Sequence, residues 1–395
     1  MNKTMFGIDL IKEKKYTQLF EGNVALLAHS SSFDFQLIHS AEIIKEVIGP
    51  RLVKLFGPQH GFVTDVQDNM VETADFIHPY FKIPVHSLYG EVRGPTDKML
   101  EDVDTFVIDL QDVGTRVYTY IHTMSNVLKK CGEKNIKVIV LDRPNPIGGE
   151  VIEGNILRPE FKSFVGLHPI PMRHGLTMAE MAKLINTHFL EQACELSVVP
   201  MKNWNRQNYW SDLNRPWILP SPNLPTPEGA LTFVGTVLFE GTNISEGRGT
   251  TRSLEFIGHP KLEAFTISRY LNQVLKKINQ NSMITRPQVF LPTFQKYKNE
   301  VCQGIQLHVL NQQTARPWQV GQIICRELKN ILNDDFSWSE KPYEYEFSGL
   351  AIDYINGSDE IRKWVNSNGS LERLVEIEQQ GLCNYKEKIK TIQLY

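Results

Sequence analysis

Short apolar runs that stop abruptly at polar residues and turn formers recur through the first half of the chain. "NVALLAHS" (23–30), "RLVKLFG" (51–57), "IPVHSLYG" (83–90), "TFVIDLQDVG" (105–114) and "KVIVLDRPNP" (137–146) each read as a buried strand. Between them, residues 37–48 and 115–130 space their apolar side chains as helices do; in the second stretch Val117, Ile121, Met124 and Leu128 share one face. This alternation predicts a parallel α/β sheet with helices on both faces. Ligands of open α/β sheets collect at the carboxyl ends of the strands. The polar residues that follow each strand are therefore expected to converge: His29 and Ser30, Gln59 and His60, Asp109 and Asp112 with Arg116, and Asp142, Arg143 and Asn145. No glycine-rich dinucleotide fingerprint follows any strand, so no cofactor is expected.

Farther on, Thr177 with Glu180 three positions later predicts a capped amphipathic helix. "PWILPSPNLPTPEGA" (216–230) is dense in proline and turn residues and marks a domain boundary near Glu228, dividing the chain into 1–228 and 229–395. The second part opens with "LTFVGTVLFE", read as an apolar strand that delivers the glycine-rich loop "GTNISEGRGTT" with Asn243, Glu246, Arg248 and, just beyond, Arg252. "GIQLHVL", a helix around 320–332 and "SLERLVEIEQQ" complete a smaller α+β domain.

Charge and composition narrow the function classes. With 42 basic and 45 acidic residues among 395, the net charge of −3 offers no field for nucleic acid or an anionic membrane. The five cysteines lack any CxxC spacing and are expected as reduced core residues. No run of about 18 apolar residues occurs, and the N-terminal stretch carries charges where a signal peptide needs its apolar run, so a soluble, cytoplasmic protein is expected.

Three stretches could carry chemistry. In "GTNISEGRGTT" the glycines allow tight bends while Glu246 and Arg248 face a ligand; the alternative is a surface turn closed by their ion pair. In "DLQDVGTR" strand alternation places Asp109 and Gln111 on one face and Asp112 on the other, unless Asp112 or Thr115 caps the next helix. Asp109, inside an apolar run, needs a cationic partner, and Arg116 or Arg143 would serve. In "LDRPNP", Pro144 and Pro146 stiffen a loop that presents Arg143 and Asn145, as a binding site or as an ordinary turn. His29, His60, His86, His122 and His174 form no HxH or HExxH pattern, and no metal is expected.

The motifs "GPQHGF", "PVHSLYGE", "DLQDVGTRVYTYI", "LDRPNPIGG", "VIEG", "SFVGLHPIP", "RHGLTMAE", "SPNLPT", "FEGTNISEGRGTT" and "PTFQKY", in this order, resemble the NamZ-like exo-β-N-acetylmuramidase family. The resemblance implies a Rossmann-like N-terminal domain and a smaller C-terminal α+β domain with the cleft between them, and a glycoside hydrolase that releases N-acetylmuramic acid from the non-reducing end of peptidoglycan-derived fragments. Glu246 is then the first candidate for the catalytic acid, its pKa raised by closure over substrate, with Asp112 second and Glu91 and Glu153 as substitutes. The sugar's own N-acetyl oxygen is an alternative nucleophile, which would leave Asp112 to polarise it. Gln59, His60, Arg116, Tyr120, Arg143, Asn145, Arg173, His174, Asn223, Asn243 and Arg248 are the expected sugar ligands, with Arg143, Arg173 or Arg248 pairing with the lactyl carboxylate. In "GPQHGF" the chain departs from the family's usual Glu at position 59. An amide donates no acid proton, so Gln59 is expected to be a hydrogen-bonding ligand. The competing classes are a non-catalytic cell-wall sugar-binding protein and a metal-dependent hydrolase.

Overall fold

A computed structural model describes residues 3–68 and 70–395. Seven strands, β1 (Val24–Leu27), β2 (Leu52–Gly57), β3 (Phe76–Ile77), β4 (Pro84–Ser87), β5 (Thr105–Ile108), β6 (Lys137–Leu141) and β7 (Leu196–Val199), form one sheet. Their order is β3-β4-β2-β1-β5-β6-β7, parallel except for the antiparallel edge pair β3–β4. Strand order reverses at β1, whose neighbours are β2 and β5, so a crevice opens at the carboxyl ends of these strands. The period-2 alternation sorts side chains to two cores. Val24, Leu26, Val107, Ile139 and Leu141 face the short helices α1 (Gly7–Leu10) and α2 (Lys14–Thr17) and helix α3 (Ser40–Ile48). Ala25, Leu27, Phe106, Ile108, Val138 and Val140 face α4 (Tyr120–Lys134) and α5 (Met178–His188).

That second core continues without a break into the rest of the chain. There, β8 (Phe256–His259), β9 (Met283–Phe290) and β10 (Cys302–Val309) form an antiparallel sheet in the order β8-β10-β9. It packs with α6 (Pro227–Thr236), α7 (Ala264–Lys277) and α8 (Pro317–Leu332), followed by α9 (Ala351–Asn356), α10 (Glu360–Asn366), α11 (Leu371–Gln379) and α12 (Leu382–Lys390). Arg116 ties the two parts together. Fully buried, its guanidinium donates to Asn155 O and Ile170 O on one side and to Ile355 O on the other, at 2.9 to 3.0 Å.

The structure corrects several expectations from the sequence. "LTFVGTVLFE" is not a strand but helix α6 and a 3-10 turn, Val237–Gly241. Its start is set by the Thr226 hydroxyl, which accepts from Gly229 N at 2.9 Å, and by Pro227 in the first turn. It is apolar all round because it is buried all round; Gly235 lies so close to α8 that a Cβ there would sit 1.8 Å from Pro317 O. β5 ends at Ile108, short of Asp109, so strand alternation does not orient the two aspartates. The following helix begins at Tyr120, because the preceding backbone pairs elsewhere: Arg116 N–H donates to Met172 O at 2.7 Å and Thr115 bridges Arg173. The Thr177–Glu180 capping box forms as the spacing predicts. Four cysteines are buried, whereas Cys383 is exposed on α12.

Candidate active site

The site grows from the end of β2. Gly57 leaves the strand where a Cβ would lie 2.3 Å from Phe62 N, and Gly61 N–H closes a turn onto Pro58 O at 2.9 Å. His60, at the third position of that turn, adopts φ +70°, as glycine usually does there. Its Nδ1 lies 2.8 Å from Val66 O and therefore carries the proton, and burial pushes its pKa down to about 4, leaving the ring neutral. Gln59 points into the cavity with its amide orientation fixed. The Thr119 hydroxyl donates to Oε1 at 2.6 Å, so Nε2 faces the other way and donates to Glu344 Oε1 at 3.1 Å. Glu344 Oε2 accepts from the Tyr89 hydroxyl at 2.6 Å. Glu344 is buried, and this desolvation raises its carboxyl pKa; the bonds from Tyr89 and Gln59 pull it down without cancelling the rise.

A second carboxyl, Glu240, lines the same cavity. Arg248 Nη2 donates to its Oε1, and the Tyr343 hydroxyl to its Oε2 at 2.7 Å. The cavity is lined from the large sheet's side by Gln59, His60, Val117 to Thr119, Val165, Ser221, Asn223 and Leu224. Phe233, Val237, Glu240, Arg248, Leu254, Tyr343 and Glu344 close it from the other. Among the described residues, no group of three His, Cys, Asp or Glu side chains could hold a metal ion.

Of the residues singled out in the sequence, Gln59, His60, Asn223 and Arg248 meet at this cavity. Tyr120 stands behind them, donating to Pro220 O at 2.8 Å. Glu246 does not line the cavity, and its carboxyl is not raised. Burial pushes it up, but Lys296 at 2.8 Å and Arg248 at 3.4 Å outweigh burial and hold it below the usual range. It is a pinned anion within a structural staple, since Lys296 also donates to Phe239 O and Ile244 O. Arg143 is the partner that Asp109 needed, with Nε and Nη2 at 2.6 and 2.9 Å. Arg173 is buried against Ile147 O and the Tyr209 hydroxyl. Asn145 is used on Leu176 O and Ile147 N, and Asn243 on Asp335 O and Ser337 N. Neither Asp112 nor Thr115 caps the next helix, which starts only at Tyr120; Asp112 instead accepts from Gly114 N at 2.7 Å, closing a local turn, and from His174 Nε2 at 3.1 Å. His174 Nδ1 accepts from Leu176 N, which puts the imidazole proton on Nε2. Glu153 is buried at the N-terminus of α8, where its Oε1 accepts from Gln319 N at 3.0 Å; Glu91 is exposed.

Residues 24–228 match the family model described as exo-β-N-acetylmuramidase NamZ, N-terminal, and residues 231–395 match its C-terminal counterpart. The chain belongs to the NamZ family. It is 37% identical over 393 residues to the peptidoglycan β-N-acetylmuramidase NamZ of Bacillus subtilis (strain 168), covering 100% of this chain and 92% of that protein. Two crystal structures of DUF1343 family proteins from Bacteroides fragilis share the fold. One has a TM-score of 0.86 at 30% identity and the other 0.75 at 25%, each over 100% of this chain and 99% of its own.

Within this NamZ fold, sequence reasoning missed Tyr89, Thr119, Glu240 and Glu344. Glu240 stands inside the quoted "FEGTNISEGRGTT" motif, so the motif itself was a signal for it. "KPYEYEFSG" around Glu344 alternates aromatic and acidic residues as a strand does and has no turn formers at its centre, and only the fold brings it 285 positions back to Gln59.

Proposed function

We propose that the chain, a glycosidase of the NamZ family, releases N-acetylmuramic acid from the non-reducing end of peptidoglycan fragments, with Glu344 as proton donor. The observation that carries this is the buried Glu344 carboxyl, facing the inter-domain cavity with a raised pKa and held by Gln59 and Tyr89. Glycoside hydrolysis needs a carboxyl group that keeps its proton until the leaving oxygen takes it. In the proposed reaction Glu344 gives its proton to the glycosidic oxygen as the C1–O bond breaks, and the shortened fragment leaves as an alcohol. Water supplies the oxygen that ends on C1, and its proton restores Glu344. Glu240, held by Arg248 and Tyr343, is the second carboxylate of the site.

The division of the chain at Glu228 is part of this proposal. Residues 1–228 supply Gln59, Tyr89 and Thr119, residues 229–395 supply both carboxyls, and neither part holds a complete site. Of the three arginines considered for the lactyl carboxylate, Arg248 alone lines the cavity, while Arg143 is committed to Asp109 and Arg173 to Ile147 O and Tyr209. Arg248→Lys, which keeps the charge and loses the planar fork, is expected to lower the preference for a chromogenic muramide over the matching glucosaminide. An unchanged preference would remove Arg248 from that role. We place the enzyme in the cytoplasm, acting on imported fragments; activity confined to the culture medium would contradict this. The function itself is tested with the N-acetylmuramyl-N-acetylglucosamine disaccharide. Free N-acetylmuramic acid detected by mass spectrometry is the expected product, and binding without release would favour a sugar-binding protein.

A further inference from the structure

The turn that carries Glu344 is strained, and nothing in its own sequence relieves the strain. Residues 343–346 form a two-residue hairpin in which Tyr343 N–H donates to Glu346 O at 3.2 Å and Glu346 N–H to Tyr343 O at 2.9 Å. Both central residues lie at positive φ, Glu344 at +47° and Tyr345 at +70°. Turns of this kind are ordinarily filled by Asn-Gly or Asp-Gly, because a larger side chain crowds the backbone there. Strain of this sort persists only where the surroundings hold it in place. Here the holding groups lie outside the turn. Glu344 is bound by Gln59 and Tyr89, and its N–H lies 3.3 Å from Met70 Sδ. The Tyr345 hydroxyl donates to Glu72 Oε1 at 3.0 Å, and its ring lies 4.0 Å from the guanidinium carbon of Arg93.

Arg93 lies against two tyrosines that flank the Glu344 carboxyl, Tyr345 in the turn and Tyr89 opposite it. Its guanidinium carbon is also 4.3 Å from the centroid of Tyr89, the residue whose hydroxyl holds Glu344. Arg93 is itself anchored: its Nη1 donates to the Gly90 carbonyl, its Nη2 lies 3.5 Å from Glu72, and its own carbonyl accepts from Asn126 Nδ2 at 2.7 Å. With the turn down, the open space at the cavity's centre is about 50 Å³, far below the roughly 300 Å³ of small ligand pockets. A sugar ring therefore needs a lining segment to move, and the turn supplies two of the lining residues, Tyr343 and Glu344.

We propose that Arg93 and Tyr345 are positioning residues that clamp the strained turn down, so that Glu344 is aimed into the cavity, and that the clamp opens to admit substrate. The proposal rests on the reading of Glu344 as proton donor. A merely structural contact and a positioning clamp differ in one variant, Tyr345→Gly, because glycine relaxes the positive φ while removing the ring. The clamp predicts that Tyr345→Gly keeps its Tm and loses about 10- to 100-fold in kcat on a chromogenic muramide, with a smaller change in KM. Tyr345→Phe, which keeps the ring, restores most of that loss. Arg93→Lys, which cannot stack as a plane, falls with Arg93→Ala. Wild-type kcat in Tyr345→Gly and Arg93→Ala, beside an inactive Glu344→Gln, would overturn the clamp alone. Activity losses that simply follow losses in Tm would overturn it as well. A fully active Glu344→Gln would overturn the proton-donor reading, and the clamp with it.

Discussion

Gln59 shows how much one amide can decide. Its Oε1 is taken by Thr119, so its NH₂ can only donate, and the acceptor it finds is Glu344. A carboxyl at position 59 would stand at the same 3.1 Å from Glu344, and two acids that close hold one proton between them. Gln59→Glu is therefore expected to raise the pKa of the donor and extend activity toward higher pH. The alkaline limb of the kcat/KM profile measures this, and an unmoved limb would disconnect the two side chains. Glu246 is the opposite case. Pinned by Lys296 and Arg248, it loses its proton readily, and its ion pairs hold the loop. Glu246→Gln leaves those cations facing a neutral amide and is expected to cost roughly 3 kcal/mol in denaturant unfolding. The sequence places Glu246 on a glycine-rich loop beside an arginine, but only burial beside two cations reveals which way its pKa moves.

Strands β1, β2, β4, β5 and β6 were legible because apolar runs of four to six residues, cut off by turn formers, have few other readings, whereas the two-residue β3 and the edge strand β7 were not read. Helix α6 was not, since an apolar run buried on every side has no period to distinguish helix from strand; the Thr226–Pro227 start signal was the usable clue. The strap around Glu344 was illegible for a different reason: its conformation is imposed by contacts with Gln59, Tyr89, Glu72 and Arg93, and not by its own residues. Helix α8 carries a prediction of its own. Its N-terminus is capped by Glu153, whose carboxyl is pushed up to about 8, first by burial and then by the neighbouring Glu378. A raised native pKa means that the folded protein holds this proton more tightly than the unfolded chain does. Its contribution is complete below about pH 4.5 and is lost as pH rises through about 8, with a slope of up to ~1.4 kcal/mol per pH unit. Glu153→Gln, which keeps an acceptor for Gln319 N, should flatten that part of the stability profile; an unchanged slope would assign it to other groups.

Across the whole molecule, one apolar core spans both halves of the chain, and Arg116 joins them through carbonyls from each side. The cavity lies where the reversal of strand order opens the large sheet, and the second half of the chain closes it with Glu240, Arg248, Tyr343 and Glu344. The position of this cavity was therefore readable from the alternation of strands and helices, whereas the acid proposed for it was not, because Glu344 comes from the far end of the chain. Glu344→Gln and Glu246→Gln, compared on the N-acetylmuramyl-N-acetylglucosamine disaccharide at equal folded concentration, separate the two candidate acids directly. The account predicts that release of N-acetylmuramic acid falls by about 10²- to 10⁴-fold in Glu344→Gln and stays within about tenfold of wild type in folded Glu246→Gln. Full turnover by Glu344→Gln, with loss confined to Glu246→Gln, would contradict it.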